Sequence, residues 1–181
     1  PGDTILVTSG RYFENIVWPS TNGIKLIGSG PTETILDGSA QGTVILIRSS
    51  LIDTSTLITG FFIQNGATFF DGYNNSEGGG IYLNESSPTI TNLIIADNSS
   101  SVDGSAITLE GASPVLKNVT ITDNYSIGTN AGAFYSLNDA YPDLQNCIIW
   151  GNHGGDLQAN GNSSMTVNYS NIRGTWAGEG N

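Results

Sequence analysis

The fold is decided by the stretch PTITNLIIADN at Pro88–Asn98, because the chain repeats it as PVLKNVTITDN at Pro114–Asn124 and as PDLQNCIIWGN at Pro142–Asn152. The prolines that open the three copies are 26 and then 28 residues apart, and the closing asparagines keep the same spacing. A repeat of this length indicates stacked structural units, each sharing a core only with its neighbours.

The three copies, once aligned, predict which side chains point into the core. Apolar residues recur at the third, sixth and eighth positions of each copy, and a further apolar column lies upstream. These columns are Ile90, Leu116 and Leu144; Leu93, Val119 and Cys147; Ile95, Ile121 and Ile149; and Ile81, Ile107 and Phe134, with Leu83, Leu109 and Leu137 nearby. Strand side chains alternate between faces, so we expect all these columns to point inward.

The rest of the chain follows the same strand-and-turn pattern. Short apolar runs rich in Ile, Val, Leu, Phe and Thr end at Gly, Asn, Asp or Ser, and helical periodicity is absent. Each repeat supplies about three short strands, and each strand would lie parallel to its successor at ~4.8 Å. This predicts an all-β, parallel β-helix of about six or seven coils. We interpret residues 1–181 as a single domain, a piece of a longer protein.

Asparagines mark two expected bends in each repeat. Asn92, Asn118 and Asn146 form the first set, and Asn98, Asn124 and Asn152 form the second. Asn tolerates the left-handed backbone angles of a sharp bend, and stacked asparagines can hydrogen-bond to one another along the axis. In an earlier coil, Gly60 and Gly66 stand at these positions, and Gly meets the same backbone need. Between this coil and the next, Ala67–Gly80 is predicted to protrude as a loop.

The charge balance limits the partners. Sixteen acidic residues against five basic ones give a net charge of −11, which disfavours nucleic acid and anionic membranes. Calcium, neutral glycans or basic protein surfaces fit this charge better. No run of ~18 apolar residues is present, so we expect no membrane insertion. The single cysteine, Cys147, excludes an internal disulfide.

Several segments resemble one family of proteins. They are GDTILV at residues 2–7, GRYFENI at 10–16, IKLIGS at 24–29, TILDG at 34–38, GGGIY at 78–82, IIWGN at 148–152 and YSNI at 169–172. Together they resemble bacterial right-handed β-helix repeat proteins with a pectin-lyase-like fold. The resemblance implies a right-handed helix, an extracellular or cell-surface location, and a role as a structural or binding segment that contacts a polysaccharide or another protein.

The same resemblance leaves an enzymatic alternative open, namely a polysaccharide lyase or a glycosidase. Lyases on this fold use a basic residue beside calcium, and Arg48 and Lys117 are the best candidates among five basic residues that form no repeating cluster. Glycosidases need two carboxyl groups at a suitable separation, and no pair stands out. We therefore expect no catalytic residue and favour a binding role.

Asp97 and Asp123 are the candidate metal ligands. They occupy the same repeat position and would stack on adjacent coils, where two carboxylates repel unless they are screened, share a proton or bind a cation. Neighbouring amide oxygens would suit calcium. The alternative is that both aspartates only cap their bends.

Tyrosines and acids form a candidate carbohydrate site. Tyr82 and Tyr135 follow the inward column by one residue, so we expect both to face outward with Thr108 between them. The acids that follow are Glu85, Glu110 and Asp139. Outward rings beside carboxylates could stack on sugar faces and bind hydroxyl groups. The alternative is a row of ordinary surface tyrosines.

A further column, on the outer face, predicts a protein interface. It contains Phe62, Ile94, Thr120 and Ile148, and alternation places it outside. Trp150, two residues after Ile148, would enlarge it. An exposed apolar stripe of this kind is typical of a surface that packs against another domain or chain.

Overall fold

The computed structural model describes residues 2–69, 78–102, 104–128, 132–174 and 176–181. Over these ranges the chain forms strands and no helix, and therefore has no helix that could cross a membrane. The predicted loop Ala67–Gly80 falls mostly on residues 70–77, which lie outside the described part.

Within the described ranges, the strands follow one another in seven coils. The first three coils contain β1 (Thr4–Val7), β2 (Gly10–Phe13) and β3 (Ile16–Val17); β4 (Lys25–Gly28), β5 (Thr34–Asp37) and β6 (Ile45–Arg48); and β7 (Leu57–Thr59), β8 (Phe62–Gln64), β9 (Ala67–Thr68) and β10 (Ile81–Asn84). The next two contain β11 (Thr89–Ala96), β12 (Ser99–Ser100) and β13 (Ile107–Glu110); and β14 (Val115–Thr122), β15 (Tyr125–Ser126) and β16 (Phe134–Leu137). The last two contain β17 (Asp143–Gln145), β18 (Ile148–Ile149) and β19 (Leu157–Ala159); and β20 (Thr166–Asn168) and β21 (Asn171–Ile172).

Every pair of neighbouring strands is parallel, and each strand lies on its counterpart in the next coil. The first sheet runs β1-β4-β7-β11-β14-β17-β20, with β2, β5, β8, β18 and β21 continuing the ladder on the other half of β11 and β14. The second sheet runs β3-β6-β10-β13-β16-β19, and the third contains β9, β12 and β15. This confirms the predicted all-β, right-handed parallel β-helix.

The predicted inward columns form the core. Ile95 pairs with Ile121, and Ile121 pairs with Ile149, so the three lie in one file and are fully buried. The other columns of the repeat are equally buried. One detail differs, because Ser136 and not Leu137 pairs with Leu109 and continues that file.

The first set of bend asparagines has the predicted conformation. Asn92, Asn118 and Asn146 have φ angles of 51°, 55° and 53°, and Gly60 in the earlier coil has a φ of 81°. The side-chain amide of Asn118 donates to Asn92 Oδ1 at 3.2 Å, and that of Asn146 donates to Asn118 Oδ1 at 2.5 Å. The asparagines therefore form an outer ladder along the axis.

The second set differs from the expectation. Asn98, Asn124 and Asn152 are buried, and the left-handed residues are the preceding Asp97 and Asp123, with φ angles of 57° and 55°. The amide of Asn98 donates to Asn124 Oδ1 and the amide of Asn124 donates to Asn152 Oδ1, each at 3.0 Å. These three asparagines form a ladder inside the helix and supply the hydrogen bonds that buried backbone carbonyls need at the corner.

Gly66 corrects a second expectation. It precedes this inner ladder and donates its N–H to Asn98 Oδ1 at 2.8 Å, but its φ is not positive. A Cβ at this position would come within 1.9 Å of the carbonyl oxygen of Gly79. Glycine is required here for a close approach of two backbones, and not for a left-handed angle.

The two ends of the stack differ. At the first coil, the core column continues into Ile5, which remains 49% exposed beside a cavity of about 380 Å³ lined by Leu26 and Tyr12. At the last coil, Trp176 packs against the core and Asn181 Nδ2 donates to the carbonyl oxygen of Val167 at 2.7 Å. Trp176 and Asn181 therefore cover the last coil.

Candidate functional site

The predicted tyrosine row exists, but it is not exposed. Tyr82, Thr108 and Tyr135 pair in register on β10, β13 and β16, and they are 4%, 0% and 2% exposed. A Cβ at Gly104 would lie 2.9 Å from Thr108 Oγ1, so the segment at Gly104 packs directly over this outer face. The expected outward exposure is therefore wrong, because a connecting segment covers a face that strand alternation alone would leave in solvent.

Tyr82 and Glu110 nevertheless meet, as members of one polar cluster. The Tyr82 hydroxyl donates to Glu110 Oε2 at 2.6 Å, and Asn138 Nδ2 donates to Glu110 Oε1 at 3.0 Å. The guanidinium of Arg48 lies 5.2 Å from the centroid of the Tyr82 ring, as a cation–π contact. We call Arg48, Tyr82, Glu110 and Asn138 the tyrosine cluster.

The electrostatics of the tyrosine cluster keep the phenol neutral. Burial raises the pKa of Tyr82, and the hydrogen bond to Glu110 and its negative charge raise that pKa further. Tyr82 therefore acts as a hydrogen-bond donor at any physiological pH. A phenol held in this way is poorly suited to abstract a proton.

The remaining residues of the predicted carbohydrate site border this cluster. The backbone N–H of Glu85 donates to the carbonyl oxygen of Glu110 at 2.9 Å, and Asp139 directly follows Asn138. The hydroxyl of Tyr135 accepts a hydrogen bond of 2.9 Å from Asn160. Glu85 and Asp139 are exposed turn residues with φ angles of 51° and 62°. Carbohydrate binding by this set stays a prediction.

Asp97 and Asp123 lie in the turns that follow β11 and β14, on adjacent coils as predicted. Both carboxylates are exposed or nearly so, and Asp123 Oδ2 accepts a hydrogen bond of 3.0 Å from Thr122. No group of three or more His, Cys, Asp or Glu side chains within the described ranges could hold a metal ion together. Calcium binding by the two aspartates stays a prediction.

The predicted apolar column lies on the outer face of the first sheet. Phe62 pairs with Ile94, Ile94 with Thr120, and Thr120 with Ile148. Phe62 and Ile94 are partly exposed, whereas Ile148 is 47% and Trp150 51% exposed. We call Phe62, Ile94, Ile148 and Trp150 the outer stripe. Its predicted role as an interface is a proposal developed below.

Sequence reasoning missed a buried carboxylate on the same face. Asp37 accepts hydrogen bonds from Arg11 Nε at 2.8 Å and from the side chains of Gln64 and Asn65, both at 2.9 Å. Burial alone would raise its pKa, but hydrogen bonds from Gln64, the Ser39 backbone, Arg11 and Asn65 lower that pKa to about 2. The sequence could have indicated this pair, because Asp37 ends an apolar strand segment and Arg11 lies on the corresponding strand of the preceding coil.

A second missed feature lies at the end of the inner asparagine ladder. The last member, Asn152, donates its backbone N–H and its side-chain amide to Asp156 Oδ1, at 3.1 and 2.9 Å. The other oxygen of Asp156 forms an ion pair with Arg173 Nε at 3.0 Å. The position of Asp156 outside the repeated segment hid this role from the sequence.

Comparison with known proteins identifies the family. The family described as "Right handed beta helix region" matches residues 72–178, which is more than half of the 181-residue chain. Comparisons with curated proteins and with solved structures found no match. The parallel sheets described above agree with the family match. The chain belongs to the family of right-handed β-helix regions.

Proposed function

We propose that this chain is a binding β-helix segment of a secreted or cell-surface protein, and that the outer stripe docks another protein chain. The observation that carries the proposal is the exposure of Ile148, which is in register with Ile94 and Phe62, and of Trp150 two residues later. The secreted location and the bacterial, pectin-lyase-like relationship are supported by the resemblance of the strand segments given above.

The scaffold makes the outer stripe suitable for recognition. Phe62, Ile94 and Ile148 lie on strands that pair on both sides, so their backbones are held in place before any partner arrives. When a partner removes half-exposed apolar side chains from water, the free energy of the complex falls, and this favours binding. The stripe spans three strand spacings, about 14 Å, which suits a small and reversible contact.

A second copy of the chain is the partner that we propose. The stripe runs along the stack axis, so two copies can place the same surface face to face across a two-fold axis. The net charge of −11 opposes this association at long range. Salt should therefore strengthen the dimer by screening that repulsion.

Sedimentation velocity at increasing protein concentration tests this proposal. We expect a concentration-dependent dimer in the wild type and its loss in an Ile148→Ser/Trp150→Ser variant. Ile127→Ser is the matched control, because Ile127 is 63% exposed and lies outside the stripe. A wild type that stays monomeric at millimolar concentration, or a dimer that survives the double substitution, would refute docking through the stripe.

One observation favours the alternative of a polysaccharide-active enzyme. Arg48, one of the two basic candidates, lies beside Tyr82, whose hydroxyl donates to Glu110, whereas Lys117 lies on β14 in the other large sheet. The raised pKa of Tyr82 argues against a base at this site. Turnover of pectin, alginate or a neutral glycan that Glu110→Gln abolishes would establish the enzymatic function, and no turnover of any of them would remove it.

A further inference from the structure

A corner of the helix carries two aromatic rings followed by two small residues. In the third sheet, Ala67 pairs with Ser99 and Ser99 pairs with Tyr125. A parallel bridge continues the column from Tyr125 to His153. Four successive coils therefore place the side chains of His153, Tyr125, Ser99 and Ala67 in one column.

The two rings are stacked on each other. Their centroids are 4.2 Å apart, and their planes differ by 20°. Because His153 belongs to the coil that follows Tyr125, the two ring planes are roughly perpendicular to the axis of the β-helix. The opposite face of Tyr125 therefore points toward the coil of Ser99, where the short side chain of Ser99 takes the place of a third ring. Tyr125 is 50% exposed.

A cavity lies beside the column beyond Tyr125, next to Ser99 and Ala67. It has a volume of about 320 Å³ and is lined by Ser99 and Ala67 of the column and by Asp97, Ser39 and Ala40 of the adjoining turns. The left-handed backbone of Ser39 and Ala40, with φ angles of 51° and 55°, shapes the far wall. The volume is enough for one six-membered sugar ring.

Polar groups at the cavity are free to bind a ligand. The carboxylate of Asp97 and the hydroxyl groups of Ser39 and Ser99 make no hydrogen bond with any residue that the structure describes. Asn65, by contrast, already donates its amide to Asp37. Asp97 and Ser99 belong to the coil next to Tyr125, whereas the turn of Ser39 stacks on Asn65, one coil further along. A carboxylate and a hydroxyl group beside an apolar platform are groups that recognise sugar hydroxyls.

We propose that this corner is a binding site for one pyranose ring of a neutral glycan. The apolar face of the sugar would pack on the free face of Tyr125, in the place that a third ring of the stack would take, at about one strand spacing. The carboxylate of Asp97 would accept hydrogen bonds from its hydroxyl groups, and the hydroxyl group of Ser99 would donate or accept one. The carboxylate and the net charge of −11 disfavour uronic acid polymers such as pectin.

The site is separate from the outer stripe and from the tyrosine cluster. The proposal therefore does not depend on docking through the stripe, and each can fail alone. It also differs from the carbohydrate site that the sequence predicted, because Tyr82 and Tyr135 are buried whereas Tyr125 is half exposed.

Titration calorimetry with neutral hexaoses of glucose, xylose, mannose and galactose tests the proposal, in EDTA so that metal binding at Asp97 plays no part. We expect at least one hexaose to bind, and a hexaose of galacturonic acid not to bind. Tyr125→Leu should weaken the binding by about tenfold, because it removes the platform. Ser99→Tyr should abolish the binding, because a tyrosine there fills the position of the sugar.

The matched control is Tyr141→Leu, since Tyr141 is an equally exposed tyrosine (51%) outside the column. It should leave the affinity unchanged. The proposal is overturned if none of the four neutral hexaoses binds, if the galacturonic acid hexaose binds more tightly, or if Tyr141→Leu weakens binding as much as Tyr125→Leu does. Circular dichroism of each variant shows that the β-helix is intact and that a lost affinity reflects the site.

Discussion

Asn124 Nδ2 donates to Asn152 Oδ1 at 3.0 Å, and both asparagines are buried. Asn124 also donates to the carbonyl oxygens of Ile95 and Thr122, and its own oxygen accepts two hydrogen bonds from Asn98. One side chain thus joins three consecutive coils at a corner that has no continuous strand ladder.

Asn124→Ala should therefore be strongly destabilising. It leaves buried donors of Asn98 and buried carbonyl groups without partners, which costs about 3 kcal/mol. Urea unfolding followed by circular dichroism measures the loss. Asn118→Ala is the matched control, because Asn118 belongs to the exposed outer ladder. It should lose about 1 kcal/mol, mainly from its left-handed backbone. Equal losses in the two variants would contradict the importance of the inner ladder.

Asp156→Ala should destabilise the last coils. It removes the acceptor of Asn152 and the partner of Arg173, and a buried hydrogen-bond donor without a partner costs about 1–3 kcal/mol. Hydrogen exchange measured by mass spectrometry should locate the loss of protection in residues 143–172, with the first three coils unchanged. A uniform loss of protection along the chain would contradict a local role of Asp156 in the last coils. Asp139→Ala, at an exposed turn, is the control.

The acid stability of the protein should depend on Asp37. Its pKa is lowered from 3.8 to about 2, so the unfolded state binds the proton first as the pH falls. The ionised Asp37 adds roughly 2 kcal/mol to the free energy of unfolding. This contribution is fully present above pH 3.8 and is lost as the pH falls toward 2. Unfolding free energies measured between pH 5 and 2 should fall more steeply in the wild type than in Asp37→Asn. Asp139→Asn should follow the wild type.

The alkaline stability should depend on Tyr82. Because burial and Glu110 raise its pKa, the folded protein keeps a proton that the unfolded chain releases near the ordinary value of 10.0. The stabilisation is present below pH 10 and is lost as the pH rises above it. Tyr82→Phe should flatten this decline between pH 9 and 11 in urea unfolding experiments, and Tyr141→Phe should not. A Tyr82→Phe protein with the wild-type decline would contradict the raised pKa.

Cys147 provides a single internal probe of opening. It is 1% exposed, and burial raises the pKa of its thiol, so the reactive thiolate is scarce. An aromatic disulfide reagent should label it only as fast as the β-helix unfolds, and urea should accelerate labelling in parallel with the circular dichroism change. Rapid labelling of the native protein would show that the core file opens locally at this coil.

Strand periodicity accounts for what the sequence predicted correctly. Ile95, Ile121 and Ile149 recur at fixed spacing, and an alternating strand has only two faces, so their common file follows from the pattern alone. The left-handed bends at Asn92 and Asn118 follow from the tolerance of asparagine for that backbone.

The errors arise where non-repeated segments act on the repeats. The burial of the tyrosine row involves Gly78 and Gly104, which pack against Thr108 and belong to connections that differ in length from coil to coil. The proposed glycan site needs the stacking of Tyr125 on His153, and His153 is the single histidine of the sequence. A repeat alignment cannot predict either feature, because both depend on residues that have no equivalents in the other coils.

The contacts of Trp176 and Asn181 have a mechanical consequence for the last coil. Tension applied to this coil must first pull Trp176 away from the core and break the hydrogen bond between Asn181 and Val167 before the strand of Val167 can separate. Pulling experiments on Trp176→Ala should therefore show this coil opening at a lower force than in the wild type.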